Sequence, residues 1–216
     1  MPREQNVGIN KKKIHPKVRK KTYILAYEDN YASPEYFEEL TNTLLYDKNS
    51  RIRMISLKRR KGDTKSAPKH VFQKLKKYKA EYLTEPNDEF WMIIDRDQWQ
   101  LEEWLEKCQT ESNFYVALSN PCFEFWLFLH LFNLAAFDHE ELLKNRKLGR
   151  KRRFLDHYLS QNLEQGYNKT NIIPERFVTL QGIQSAIDQA RALDQGDIMH
   201  TLGSHNYKLI ERLLND

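Results

Sequence analysis

Phe90-Trp91-Met92-Ile93-Ile94, running directly into Asp95-Arg96-Asp97, is the stretch on which the fold turns. Five apolar residues without polar alternation describe a strand covered on both faces, as at the centre of a parallel sheet. In open α/β sheets, ligands gather beyond the carboxyl ends of the strands. Two Asp separated by one residue, just past such an end, can face one ligand while Arg96 points away. Asp is also a favoured turn residue, so an exposed turn is the competing reading of the same pattern.

Upstream, Tyr23-Ile24-Leu25-Ala26-Tyr27 runs into Glu28-Asp29 in the same manner. If the two strands are neighbours, Glu28 approaches Asp95 and Asp97. Carboxylates crowded in this way call for a cation or a shared proton, and oxygen-only donors suit Mg²⁺ or Mn²⁺.

The rest of the chain arranges itself around these two strands. Residues 1–21 are polar and basic and read as an N-terminal arm. A strand over 22–27 leads to a helix opened by Ser33-Pro34, with Phe37, Leu40 and Leu44 at helical spacing. Ile52 to Leu57 reads as an edge-like strand, and Lys58-Arg59-Arg60-Lys61-Gly62-Asp63 as a basic loop. Pro68 starts a second helix, 90–94 forms the third strand, and Leu101, Trp104, Leu105 and Cys108 mark a third helix. Residues 113–118 make a fourth strand. Helical periodicity follows near 122–134, 139–147, 151–162, 179–193 and 204–214. The order predicts a small, mainly parallel α/β sheet of about four strands with a C-terminal helical region. The corresponding division is an arm over 1–21, a catalytic core over 22–134 and a helical region over 135–216.

Of 216 residues, 40% are hydrophobic and the net charge is +5. The charge is unevenly spread. Residues 51–79 carry twelve Lys/Arg against the single acid Asp63, residues 144–153 carry seven and no acid, and residues 11–21 carry seven more. Such blocks are the footprint expected for a nucleic-acid partner, or else solvated faces. Cys108 and Cys122 lack a metal-ligand spacing and read as small core hydrophobes. Six of the seven histidines, at 70, 130, 139, 157, 200 and 205, are scattered and read as surface or capping residues. No apolar run reaches membrane-spanning length, the N-terminus lacks the apolar core of a secretory signal, and no Gly-rich phosphate loop is present. A cytoplasmic protein without ATPase activity of its own is expected; the sequence assigns no oligomeric state.

A third cluster, Ser119-Asn120-Pro121-Cys122-Phe123-Glu124-Phe125-Trp126, begins where the fourth strand ends. Glu124 falls in the first turn of a strongly apolar helix. It is either favoured there by the helix dipole or turned toward a metal, since a carboxylate among aromatics needs a partner.

Taken together, Glu28 through Phe37, Ile93 through Asp97 and Ser119 through Trp126 resemble the RloB-like proteins. Gly166-Tyr167-Asn168-Lys169 and Ser204-His205-Asn206-Tyr207-Lys208-Leu209 extend the resemblance over residues 21 to 214. It implies a TOPRIM-type domain of bacterial defence and restriction loci, with Glu28 as general acid/base and Asp95 and Asp97 as Mg²⁺ ligands. It further implies that Glu124 is an additional site acid and that Lys169 faces phosphate. The chain departs from the family's first motif, which has Gly after the Glu and a Lys-Thr-Glu before the Pro. Here Asp29 and Tyr31-Ala32-Ser33 stand instead, and Asp29 or Glu35 are the acids placed to compensate. The resulting expectation is a metal-dependent nuclease in antiphage defence, with Glu28, Asp95, Asp97 and Glu124 around Mg²⁺ or Mn²⁺ and Arg59, Arg60 and Lys61 holding phosphates. A primase-type transferase is a rival, made less fitting by the missing zinc-binding region. The non-enzymatic alternative is a nucleic-acid-binding subunit with a weakened site beside a partner ATPase.

Overall fold

The computed structural model describes residues 20–45, 51–59, 66–96, 100–150 and 152–216. The expected basic arm over 1–21, apart from its last two residues, and Arg60, Lys61 and Asp97 lie outside them.

Alternation within the strands explains the layers. β1 (Lys21–Tyr27) sends Tyr23, Leu25 and Tyr27 to one face and Ile24 and Ala26 to the other. β3 (Glu89–Asp95) divides likewise into Trp91 and Ile93 against Phe90, Met92 and Ile94. Both faces are therefore apolar, as the unbroken run at 90–94 requires. β2 (Ile52–Leu57) lies on the far side of β1, and β4 (Phe114–Asn120) lies beside β3. These four strands are parallel, in the order β2-β1-β3-β4. The strand order reverses between β1 and β3, so a crevice opens at that junction beyond the carboxyl ends.

The helices are divided between the two faces. α1 (Ala32–Asn42) packs against the face carrying Tyr23 and Trp91, whereas α2 (Pro68–Glu81) and α3 (Glu102–Thr110) cover the other. Cys108, on the buried face of α3, has its Sγ 3.2 Å from Met92 Sδ. α4 (Phe123–Leu131) joins α1 and is apolar around nearly its whole circumference, which is the signature of a helix enclosed on every side. α5 (His139–Lys144), α6 (Phe154–Asn162), α7 (Leu180–Leu193) and α8 (Asn206–Asn215) build outward from it.

Two features differ from expectation. A fifth strand, β5 (Gly203–Ser204), pairs antiparallel with the end of β4. Two residues are too few to show a period of two, and the segment reads as the start of the following helix. His130 is not a surface or capping residue. It is buried in α4, where Nδ1–H donates to Trp126 O at 2.8 Å and Nε2 accepts from the Tyr36 hydroxyl at 3.0 Å. Burial lowers its pKa to about 4, against a smaller opposing effect of the Trp126 carbonyl. It is thus a neutral core imidazole whose two polar atoms are satisfied locally. Among the described residues, no helix is long and apolar enough to cross a membrane.

Candidate functional site

Glu28 and Asp95 occupy the two sides of the switch point. The backbone N–H of Glu28 donates to Ile93 O at 2.9 Å, which carries the β1–β3 pairing one residue past the end of β1. Its carboxylate then turns back over β3, and Oε2 accepts the backbone N–H of Asp95 at 2.9 Å. Glu28 is buried, and this main-chain bond orients its carboxylate. Asp95 sits opposite Ser119 in the β3–β4 register, and the N–H of Arg96 donates to Ser119 O at 2.8 Å. Arg96 does not simply turn away: its Nε–H donates to Met199 O at 3.0 Å, and the residue lines the same cavity as Asp95.

The segment after β4 completes the rim. Asn120 donates through Nδ2 to Ile198 O and Thr201 O at 2.9 and 3.0 Å, and the Asn120–Pro121 peptide is cis. Asn206, fully buried, donates through Nδ2 to Ser119 Oγ and Ser204 Oγ at 2.8 and 2.9 Å. The Ser204-His205-Asn206 segment therefore anchors the rim from which α4 departs. Glu124 follows in the first turn of α4, its side chain only 2% exposed. Its Oε1 accepts the Tyr167 hydroxyl at 3.0 Å and pairs with Lys169 Nζ at 3.0 Å. Tyr167 and Lys169, some forty residues downstream, thus supply the polar partner that a carboxylate among Phe123, Phe125 and Trp126 requires.

These charges act on one another. Asp95 is raised well above the ordinary carboxylate range. Burial is the main cause, Lys169 opposes it, and the neighbouring charges of Glu124, Glu28 and Asp29 add to it. Glu124 moves the other way: burial would raise it, but the Lys169 charge and hydrogen bonds from Cys122 and Lys169 hold it below its usual value. The Lys169 ammonium is raised, because Glu124 and Asp95 outweigh its own desolvation. Burial, then Glu124 and Asp95, push the Cys122 thiol well up, so the half-buried Cys122 is a neutral thiol beside the site.

Asp29 has a different task. Its carboxylate accepts the backbone N–H groups of Tyr31 and Ser33, at 3.3 and 3.1 Å, and the Ser33 hydroxyl. Its oxygens serve the entrance to α1, although its charge is still felt at Asp95. Glu35 is partly buried near Lys58 and Glu38 in the first turn of α1, and burial, ahead of these charges, raises its pKa. Arg59 follows the end of β2 on the same rim as Glu28, while Lys58 pairs with Glu38 at 2.7 Å.

Asp95, Arg96, Cys122, Glu124, Asp156 and Lys169 line a cavity of about 430 Å³. Its opposite wall is cationic and is formed by Lys144, Lys147, Arg150, Arg152 and Arg153. The described cations of the basic block thus share one cavity with the acidic floor. Asp156, which accepts the Arg153 backbone N–H at 3.2 Å, is raised by burial and by Glu124. Asp156 is not singled out by sequence spacing, and the block at 144–153, legible as a nucleic-acid footprint, could not be placed opposite the acids, since both come from the helical region far along the chain.

The donor set suits a hard divalent cation. Mg²⁺ keeps several waters and is commonly bound through one or two carboxylates plus substrate phosphates, and Glu28 and Asp95 are two such groups on adjacent strands. Asp95 is raised by burial and, to a smaller extent, by the surrounding carboxylates, and a cation would relieve both costs. Among the described residues, no three His, Cys, Asp or Glu side chains converge as a metal cage.

The fold and rim define a parallel-sheet α/β protein with a carboxylate site at its topological switch point. The model of the RloB-like protein family matches residues 23–213, and the chain belongs to that family. Comparisons with curated proteins and with solved structures each find no match.

Proposed function

We propose that this chain is a metal-dependent phosphodiesterase, most simply a nuclease acting on RNA or DNA in antiphage defence. The observation that carries the reading is the clamp at the switch point. Glu28 is oriented over the end of β3 by the Asp95 amide, and the Asp95 carboxyl is electrostatically crowded beside it. Glu28 and Asp95 would hold Mg²⁺ or Mn²⁺, joined by Asp97 from the adjoining segment. A bound divalent cation supplies charge stabilisation on a phosphate oxygen. Glu28, fixed through Oε2, is placed to exchange a proton at an attacking or leaving oxygen. Lys169 stays protonated between Glu124 and Asp95 and offers positive charge at the floor of the cavity. Arg59, on the same rim, together with Arg60 and Lys61, is assigned to phosphate contact. The defence setting, a partner ATPase and a cytoplasmic location belong to this proposal through the resemblance described above.

The test is incubation with total cellular RNA and with plasmid DNA in Mg²⁺, Mn²⁺ or EDTA. Cleavage in metal and none in EDTA is expected, and Glu28→Gln should lower the rate about 10²–10⁴-fold, the usual worth of a general acid or base. Cleavage that persists in EDTA would sink the reading.

One observation favours a second reading. Glu124 is already neutralised by Lys169, and Asp29 is committed to α1, so this corner of the rim is compensated by protein alone. A nucleic-acid-binding subunit working beside an ATPase needs only the cationic wall. It would show binding without cleavage in any metal.

A further inference from the structure

We infer that the basic hairpin following α5 is the principal nucleic-acid backbone grip of this protein, with Lys147, Arg150 and Arg152 as its phosphate-binding residues. The inference rests on the reading of the rim as a site for phosphodiesters, and it places the main grip on the wall opposite the carboxylates instead of on the loop after β2.

The geometry begins at the hairpin's base. Asn145 ends α5 with a left-handed backbone, φ 38°, and is buried. Its Oδ1 accepts the Leu155 N–H at 3.1 Å and its Nδ2 donates to Cys122 Sγ at 3.4 Å. One side chain therefore ties the far end of the hairpin to the segment that carries Glu124. Two antiparallel arms leave this base: Phe154 N–H donates to Arg146 O at 2.9 Å, Leu148 N–H donates to Arg152 O at 3.0 Å, and Lys147 bridges Arg153. The arms are held by main chain, which leaves their side chains available.

The cations divide into two sets. Lys144 pairs with Glu140, Arg146 with Glu141, and Arg153 donates to Asn145 O. Lys147, Arg150 and Arg152 are exposed, line the cavity and have no acidic partner among the described residues. Three cations without an acidic partner, on a wall facing an acidic floor, segregate charge at some cost in self-repulsion. A polyanion running along the hairpin relieves that cost, and the carboxylate floor keeps its phosphates off the rim except where a cation intervenes.

The test measures anisotropy of a labelled single-stranded RNA and of a labelled duplex DNA in EDTA, with cleavage assayed separately in Mg²⁺. Lys147→Gln/Arg150→Gln/Arg152→Gln should weaken binding about tenfold or more at low salt. It should also flatten the slope of log K against log salt by about 2 for the single strand or about 2.7 for the duplex, three phosphate contacts being lost. An equal charge change on the opposite face, Lys69→Gln/Lys76→Gln/Lys77→Gln on α2, should leave the slope unchanged. A wild-type slope in the hairpin variant overturns the inference, and so does equal flattening by the α2 control. Either result can occur with metal-dependent cleavage intact, so failure of the grip is distinguishable from failure of the phosphodiesterase reading.

Discussion

Removing the ammonium of Lys169 leaves Glu124 as a buried carboxylate with only neutral donors around it. Lys169→Met should therefore lose about 1–3 kcal/mol at neutral pH in denaturant titration, the cost of stranding a buried polar partner. The pH dependence gives the sign. In the wild type, Glu124 lies below its ordinary value, so its contribution is present above the unfolded carboxylate range and fades as pH falls through its lowered pKa. In the variant, burial prevails and stability is regained as pH falls. Lys169→Met combined with Glu124→Gln should recover most of the loss, as paired removal of a buried ion pair does. Asp95 behaves oppositely. Its carboxyl is raised, so without metal the folded protein loses stability as pH rises from about 4 toward the raised value. Asp95→Asn should abolish that decline in EDTA, and an unchanged stability–pH profile would remove the claim of crowding.

Two elements hold the site in place, and each has a weak point. In α4, His130 ionises near pH 6.5 when unfolded and near 4 when folded. The unfolded chain therefore binds the extra proton between these values, and stability falls by up to about 3 kcal/mol as pH drops from 6.5 to 4. His130→Gln should flatten that interval relative to wild type, whatever its effect on absolute stability. At the base of the hairpin, Asn145→Ala combines left-handed strain with loss of the bond to Leu155 and should cost about 2–4 kcal/mol. Asn145→Gly relieves the backbone but not the hydrogen bonds, and should cost less. A reversed order would show that the left-handed backbone at position 145 carries no strain.

For the whole molecule, a divalent cation that binds only the folded state stabilises it by RT ln(1 + [L]/Kd), about 1.4 kcal/mol at tenfold excess over Kd. Mg²⁺ should raise the melting temperature of the wild type, and Glu28→Gln should keep part of that rise through Asp95. Much of this arrangement was legible before any coordinates. Unbroken hydrophobicity at 90–94 marks a central strand wherever it occurs, and carboxylates at two strand ends share a rim once the strands pair. Helix starts at Pro68 and strand bounds at 52–57 follow from local chemistry, and they agree with the structure. What could not be read depends on contacts across the chain. Lys169 meets Glu124 over a separation of 45 residues, β5 is too short to carry a period, and Lys147, Arg150 and Arg152 share a cavity with the acids only because distant helices are folded beside α4. A charge block has no direction until its hairpin is folded. The burial of His130 likewise depends on Tyr36, which lies on another helix.

The clamp between Glu28 and the Asp95 amide makes the two carboxylates unequal under mutation. Because the tie runs to the peptide group, a side chain other than Pro at position 95 keeps the donor for Glu28, and the functions of the two acids can be deleted one at a time from that direction. The converse does not hold. Glu28→Gln retains an oxygen for the amide, but Glu28→Ala orphans a donor at the end of β3 and disturbs the backbone that carries Asp95. Measured in a double-mutant cycle without metal, Glu28→Gln and Asp95→Asn should show the coupling that their mutual charge repulsion imposes, about 0.5–3 kcal/mol, and Glu28→Ala should cost more than Glu28→Gln in either background. Order of replacement thus carries information: a lineage drifting from catalysis toward simple binding could shed Asp95 first without loosening its rim, and could not as easily begin with Glu28.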